Sequence, residues 1–181
     1  SPMVDNGYDV SDYTQIDPLF GSNEDLEELI RKAGEKNIYI MMDLVFNHCS
    51  IEHEWFKKAA AEPGSEEAGY FYILDEDDER SRNNWRSVFG GSTWSSLPDG
   101  RRYFHTFAKE QPDLNWENPR LRQRLYDIVK WWIQKGIKGF RVDAITYIKK
   151  DTTFSNRYPT ARENLFMVEN MQNYPGIGEF L

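Results

Sequence analysis

Apolar positions along this chain fall into two kinds of run, stripes at helical spacing and short continuous blocks. Ser22-Asn23 precedes Glu24 and Asp25, and then Leu26, Leu29, Ile30 and Ala33 recur on one face. That spacing predicts a capped amphipathic helix, closed at Gly34 or Asn37. Residues 38 to 46 (IYIMMDLVF) are nearly all apolar over a strand's length, which predicts a strand buried on both faces. The two patterns then repeat. Asn118-Pro119 opens a helix at Arg120 whose stripe is Leu121, Leu125, Ile128, Val129 and Trp132, ending at Gly136. Residues 137 to 145 form the next apolar block and the next expected buried strand.

The remaining stretches lack this order. Residues 1 to 21 are dense in Pro, Gly, Asp and Asn and read as a long loop, the kind that usually carries function. Residues 50 to 117 mix charge runs, Gly90-Gly91, Trp and Pro, with candidate strands at residues 70 to 74 and 102 to 107. They predict a small irregular lobe interrupting the α/β pattern. His53-Glu54-Trp55-Phe56 reads as the start of a helix that packs its two aromatic rings. Residues 146 to 172 are polar and carry no clear element, and Pro175 to Leu181 looks like a helix start. Helix, buried strand, helix, buried strand implies an α/β fold with parallel strands and helices outside. In such folds chemistry collects at the carboxyl ends of the strands. Asp43, Asn47 and His48 sit at the end of the first strand, Arg141 and Asp143 at the end of the second.

Arg141 and Asp143 are two apart within GFRVDAI, so on a strand they point to the same face. A guanidinium held there favours an ionised carboxylate, which suits an anionic nucleophile better than a proton donor. The same spacing also serves a purely structural ion pair at a strand end.

Composition narrows the partners. The 181 residues, 39% hydrophobic and 29% charged, are enough for one domain with a real core. A net charge of -8 argues against a nucleic-acid backbone or an anionic membrane surface and favours a neutral ligand. Aromatic residues make up 15%, and flat rings with polar tips suit the faces of sugars, although most such rings serve as core. The single cysteine, Cys49, rules out an internal disulfide. No apolar run spans a bilayer and no signal-peptide pattern opens the chain, so a cytoplasmic location is the expectation. The chain starts at Ser1-Pro2 without Met, so its true N-terminus is expected upstream and the missing signal weighs little.

Three motifs carry a resemblance. DLVFNH (Asp43 to His48), QPDLNW (Gln111 to Trp116) and GFRVDAI (Gly139 to Ile145) resemble, in order and over nearly the whole chain, signature regions of the α-amylase superfamily of glycoside hydrolases. DNGYDVSDY near the start, with QPDLNWENP, is similar to its oligo-1,6-glucosidase and α-glucosidase branch. The resemblance implies a (β/α)8 barrel with a domain B inserted after the third strand, of which this chain would hold about strands three and four. Residues 1–49 and 118–181 would then be partial barrel, and residues 50–117 the inserted lobe. It implies Asp143 as nucleophile and Arg141 as the group orienting it. Asp5, Tyr8 and His48 would contact the sugar ring, Gln111 would line the cleft, and Asp43 and Asn47 would hold the surrounding loops. Ala144, just after the nucleophile, occupies the position where Val goes with α-1,6 and Ala or Thr more with α-1,4 linkages. The implied chemistry is retaining, exo-acting hydrolysis of a non-reducing-end α-glucosyl unit on a short oligosaccharide, with no cofactor.

The departures from that pattern set further expectations. The family's general acid, a Glu after the fifth strand, and the later His-Asp pair are expected beyond the chain end; Glu163, Glu169 and Glu179 earn no such role. The rest of the barrel is therefore an expected partner, and the chain alone an inactive, marginally folded fragment. A metal is not expected, because His48 and His53 are five apart with no firm third ligand. Trp85, Phe89 and Trp94 would line the cleft or serve as core. Within the branch, trehalose-6-phosphate hydrolase and sucrose isomerase share these motifs, with Lys149-Lys150 the faint candidate for a phosphate site. From another class, the non-catalytic ectodomain of an amino-acid transporter heavy chain keeps the fold without the site.

Overall fold

The computed structural model describes residues 1–156 and 172–180. Glu163 and Glu169 lie outside the described residues. Local signals set the first helix, α1 (Asn23–Gly34): Ser22 Oγ accepts from the Asp25 N–H, and the Asp25 carboxylate accepts in return from the Ser22 N–H at 2.8 Å. The long helix α3 (Pro119–Gln134) is capped by the Asn118 side chain, which accepts from the Arg120 N–H, with proline at the first helical position. It buries Leu121, Leu125 and Trp132, the stripe its spacing predicted. Gly136 follows at φ +105°, and a Cβ there would meet Ile30 Cγ2 at 2.9 Å. Its left-handed turn and the close approach of α1 both require glycine.

The two apolar blocks pair as parallel strands β1 (Met41–Val45) and, fifth in chain order, β5 (Gly139–Asp143). Both are shorter than expected, and the expectation of burial on both faces is wrong for their leading ends. Ile38, Tyr39 and Met41 are exposed, because the two strands pair only with each other and nothing among the described residues covers the outer edges. The carboxyl end of β1, Leu44 and Val45, is buried, and that of β5, Val142 and Asp143, is half-buried.

Between them, α2 (Glu54–Ala61) starts at His53, whose Nδ1 accepts from the Trp55 N–H, and it buries Trp55 and Phe56 as the sequence implied. A small antiparallel sheet follows, ordered β2 (Ile73–Leu74), β4 (Arg102–Phe104) and β3 (Trp94–Ser96). The lobe's two expected strands are thus shortened, the first to its last two residues and the second to its first three: residues 67 to 70 form a 3₁₀ turn, and Thr106 turns to bond the Asp113 side chain. Strand β3 was not anticipated. Trp85 and Trp94 are core, packed with Tyr72, Phe104 and Phe154, whereas Phe89 is exposed. The C-terminal helix start is a single 3₁₀ turn at Ile177–Phe180.

One apolar cluster runs through all three parts of the chain, joining Leu44 and Phe46 of the first part to Tyr70 and Trp116 of the lobe and Leu121 and Ile148 after it. Among the described residues no helix is long and apolar enough to cross a membrane.

Two expectations follow. Residues 1–181 produced alone should bind a hydrophobic dye and melt without a sharp transition, since the sheet has bare edges and exposed Ile38, Tyr39 and Met41; a sharp melt with little dye binding would show that the two strands suffice. His53 is held neutral by burial, its pKa lowered to about 4. A histidine depressed in the folded state adds stability above its unfolded pKa of about 6.5, and loses it as pH falls toward 4. In a polypeptide carrying the complete barrel, unfolding by urea should therefore show His53→Asn, which keeps a capping side chain, losing roughly 2 kcal/mol less than the parent between pH 7 and pH 5. Parallel pH profiles would show that His53 is not the titrating group.

Candidate active site at the carboxyl ends of the parallel strands

The register of the parallel pair builds the site. Asp43 lies opposite Arg141 and Val45 opposite Asp143, so the side chains of Asp43, Arg141 and Asp143 converge at one end of the sheet. Arg141 bridges both carboxylates: one guanidinium nitrogen bonds Asp43, and Nη2 stands 2.9 Å from Asp143 Oδ1. The expected pair with Asp143 is present, but Asp43 is the stronger partner. Its hydrogen bond and charge are the first causes holding the Arg141 pKa above its ordinary value. Asp143 is half-buried. Directly after it, Ala144 takes the left-handed conformation, φ 48° and ψ 31°, which turns the chain into a 3₁₀ turn at Ile145–Tyr147. A non-glycine residue there is uncommon and costs of order 1 kcal/mol.

The N-terminal loop supplies the next layer. Asn6 and Gly7 both have positive φ, and the Tyr8 N–H bonds the Asp5 carbonyl at 2.8 Å, a tight turn of the primed kind. That turn brings the Tyr8 hydroxyl to 3.4 Å from Arg141 Nη1. The Asp5 carboxylate accepts from Gln111 Nε2 at 2.9 Å. Asp9, fully buried, accepts from the Val4 and Asp5 N–H groups and fixes the loop.

His48 sits among these groups at 2% exposure. Its Nε2 lies 3.0 Å from the Tyr8 carbonyl, and its Nδ1 lies 3.2 Å from Asn47 Nδ2. Burial lowers its pKa, partly offset by the negative charges of Asp113, Asp143 and Asp5, so the ring is neutral. Phe107 packs on the imidazole with ring centroids 5.2 Å apart. The hydroxyl of Tyr13 stands 2.9 and 2.7 Å from the carbonyls of Val45 and His48, and pins the loop that leaves β1.

The structure thus brings Asp5, Tyr8, Asp43, Asn47, His48, Gln111, Arg141 and Asp143 into one cluster, with Ala144 at its edge. Sequence reading missed Asp9, Tyr13 and Asp113, and gave Lys150 a different role. Asp113 and Lys150 form an ion pair of 2.9 Å with neither side chain exposed. This corrects the reading of Lys149-Lys150 as a phosphate site: Lys150 is buried and already paired, and Lys149 bonds Glu179 and lies over the Phe180 ring. Two neighbouring lysines look alike in a sequence; the 3₁₀ turn after Asp143 sends one inward and leaves the other near the surface. Glu179 is exposed and joined to Lys149. A cavity of about 510 Å³ lies elsewhere, lined by Tyr13, His53, Trp55 and Trp131, and none of the cluster lines it.

Comparisons with known proteins give the family of the chain. Residues 1–181 match the alpha-amylase family, described as Alpha amylase, catalytic domain. The chain is 49% identical over 151 residues to glucan 1,6-alpha-glucosidase of Streptococcus dysgalactiae subsp. equisimilis, covering 83% of this chain and 27% of that enzyme. It is 46% identical over 158 residues to trehalose-6-phosphate hydrolase of Escherichia coli (strain K12), covering 85% and 28%. The solved structure of isomaltulose synthase from Klebsiella sp. LX3 superposes with a TM-score of 0.92 at 36% identity, covering 99% of this chain and 32% of that one. The chain therefore spans about a third or less of the relatives it matches. Matched along its whole length and folded as part of a (β/α)8 barrel, the chain belongs to the alpha-amylase family of glycoside hydrolases.

Proposed function

We propose that this segment carries the nucleophile half of a retaining exo-α-glucosidase acting on non-reducing-end α-1,6 or α-1,4 glucosidic bonds of short gluco-oligosaccharides. The observation that supports it is the Arg141 guanidinium held between Asp43 and Asp143 beside Asp5, Tyr8, His48 and Gln111. In this reading an Asp143 oxygen attacks the anomeric carbon, and the bond to the leaving oxygen breaks. A carboxylic acid about 5 Å away, from another part of the barrel, protonates that oxygen. Water then cleaves the glycosyl ester, with the same residue acting as base. The transition state is cationic at carbon, so a carboxylate below the ring stabilises developing charge as well as forming the bond. Arg141, anchored first by Asp43, fixes the direction of Asp143. Asp5, Gln111 and Tyr8 offer hydrogen-bonding groups and a ring face to the sugar. Neither lysine at 149 and 150 offers a phosphate clamp, which favours a neutral oligosaccharide over a sugar phosphate.

Two outcomes test this reading in a polypeptide carrying the complete barrel. Asp143→Asn should lower kcat on a nitrophenyl α-glucoside by at least about a thousandfold, roughly 4 kcal/mol of barrier, with the fold intact; activity within tenfold of the parent would remove Asp143 from the role. Ala144→Val narrows the space beside the leaving sugar. It should shift the ratio of kcat/KM on isomaltose to that on maltose upward by about threefold or more, a fraction of a methylene-scale discrimination. An unchanged ratio would exclude Ala144 from linkage selection.

A further inference from the structure

Lys150 stands seven residues beyond Asp143, outside every motif that carries the family likeness, yet its side chain is fully enclosed. Its ammonium meets Asp113 Oδ2 at 2.9 Å and Asn47 Oδ1 at 3.5 Å, with the rings of Tyr72 and Phe104 at 5.3 and 5.8 Å. Asp113 also accepts from Thr106, whose N–H and hydroxyl bond the two carboxylate oxygens at 2.8 and 2.5 Å. The backbone joins the same parts: Asp113 bridges His48, the Leu114 N–H bonds the Asn47 carbonyl, and the Cys49 N–H bonds the Pro112 carbonyl.

An ammonium has three donors and no acceptor, so the amide oxygen of Asn47 must face Lys150. At 3.5 Å the hydrogen bond is long, but the preference of a buried cation for the negative end of the amide dipole remains. The Asn47 NH2 is thereby aimed at His48 Nδ1, 3.2 Å away. That nitrogen has to be the acceptor, and the single proton of the neutral ring is placed on Nε2. There it donates to the Tyr8 carbonyl at 3.0 Å, on the side where Asp5, Tyr8 and Gln111 gather. Gln111 Nε2, 3.1 Å from the same ring nitrogen, is a donor facing a donor; it is satisfied by Asp5 at 2.9 Å. The opposite tautomer would set an Nδ1–H against the Asn47 NH2 and a lone pair against the Tyr8 carbonyl, two repulsive contacts in a dry site.

We propose that Lys150 is a positioning residue: through Asn47 it sets the tautomer of His48, so that the one imidazole N–H, at Nε2, donates to the Tyr8 carbonyl and holds the loop carrying Asp5 and Tyr8 at the sugar-binding side. The cation also ties the segment after β5 to the neck of the lobe at Asp113 and to the loop after β1 at Asn47, so the three segments that build the site share one charge. Resting on the glycosidase reading for its activity arm alone, this role is read separately in the imidazole.

The test uses a polypeptide carrying the complete barrel, labelled with 15N at histidine, the His48 signals being assigned by their loss in His48→Gln. The parent should show a protonated Nε2 and an unprotonated Nδ1 for His48. Lys150→Met paired with Asp113→Asn removes both buried charges together, so no unpaired ion is left behind. It should give a mixed tautomer at His48 and a fall in kcat/KM of roughly tenfold or more, as expected when the loop carrying Asp5 and Tyr8 loses the hydrogen bond that positions it. A purely structural Lys150 would change the melting temperature and leave the imidazole signals as they were. If that variant does not fold, Asn47→Asp serves in its place: a carboxylate there accepts from Nδ1–H and should move the proton from Nε2 to Nδ1, with a similar loss of activity. An unchanged His48 tautomer in whichever variant folds, or a changed tautomer with kcat/KM within twofold of the parent, would overturn the proposal. Loss of the predicted Asp143→Asn effect with the tautomer shift retained would remove the glycosidase reading and leave the relay standing.

Discussion

Asp43 and Asp143 are brought to the same end of a two-stranded sheet by a parallel register that neither can escape, and two carboxylates so close repel unless a cation stands between them. Arg141 is that cation. Its planar fork has enough donors to serve both at once, which a lysine ammonium would do without fixing either direction. The arrangement is partly exposed, so its Coulombic contribution to stability is small. Its value is geometric. A guanidinium clamped by Asp43 at one end becomes a fixed reference for Asp143 at the other, so the contact sets the direction of that carboxylate.

Around this exposed clamp the protein builds the opposite, a dry and fully buried pair. Asp113 and Lys150 lie where desolvation of two charges costs several kcal/mol, and a pair of packed apolar side chains would serve stability as well. The pair is tolerable because each charge has further partners: the carboxylate accepts twice from Thr106, and the ammonium faces the Asn47 amide oxygen and two aromatic rings. An apolar pair would offer Asn47 no orientation, and an amide free to turn leaves the imidazole beyond it without a defined proton.

The parts of the fold legible in the sequence were those whose causes are local. The Ser22 capping box, Asn118-Pro119 and the stripe from Leu121 to Trp132 each act within a few residues, and α1 and α3 formed where they pointed. Strand lengths were not legible in the same way, because pairing sets them. Ile38 and Tyr39 are as apolar as Leu44 and Val45 but have no ladder partner, and so stand in solvent. In the site, Arg141 with Asp143 could be read from a two-residue spacing, whereas the stronger bond from Arg141 to Asp43 spans ninety-eight positions and depends on register. Lys150 is the hardest case. Nothing in its neighbourhood marks it as buried, and only the turn begun by the left-handed Ala144 takes its side chain into the core while Lys149 stays near Glu179.

The placing of the chemistry along the chain has a consequence for how such a site comes to act. Asp43 to His48, Gln111 and Arg141 to Asp143 are assembled by contacts among the described residues, through one strand pair, one loop and one lobe. A retaining glycosidase needs in addition a proton donor about 5 Å from the nucleophile, a separation that local sequence cannot set and that only the closing of a barrel fixes. On the glycosidase reading proposed above, the groups on this segment can therefore be in place before the donor arrives. Preorganisation of this half means that closing the barrel has to position one further carboxyl group, rather than an entire constellation, for hydrolysis to begin.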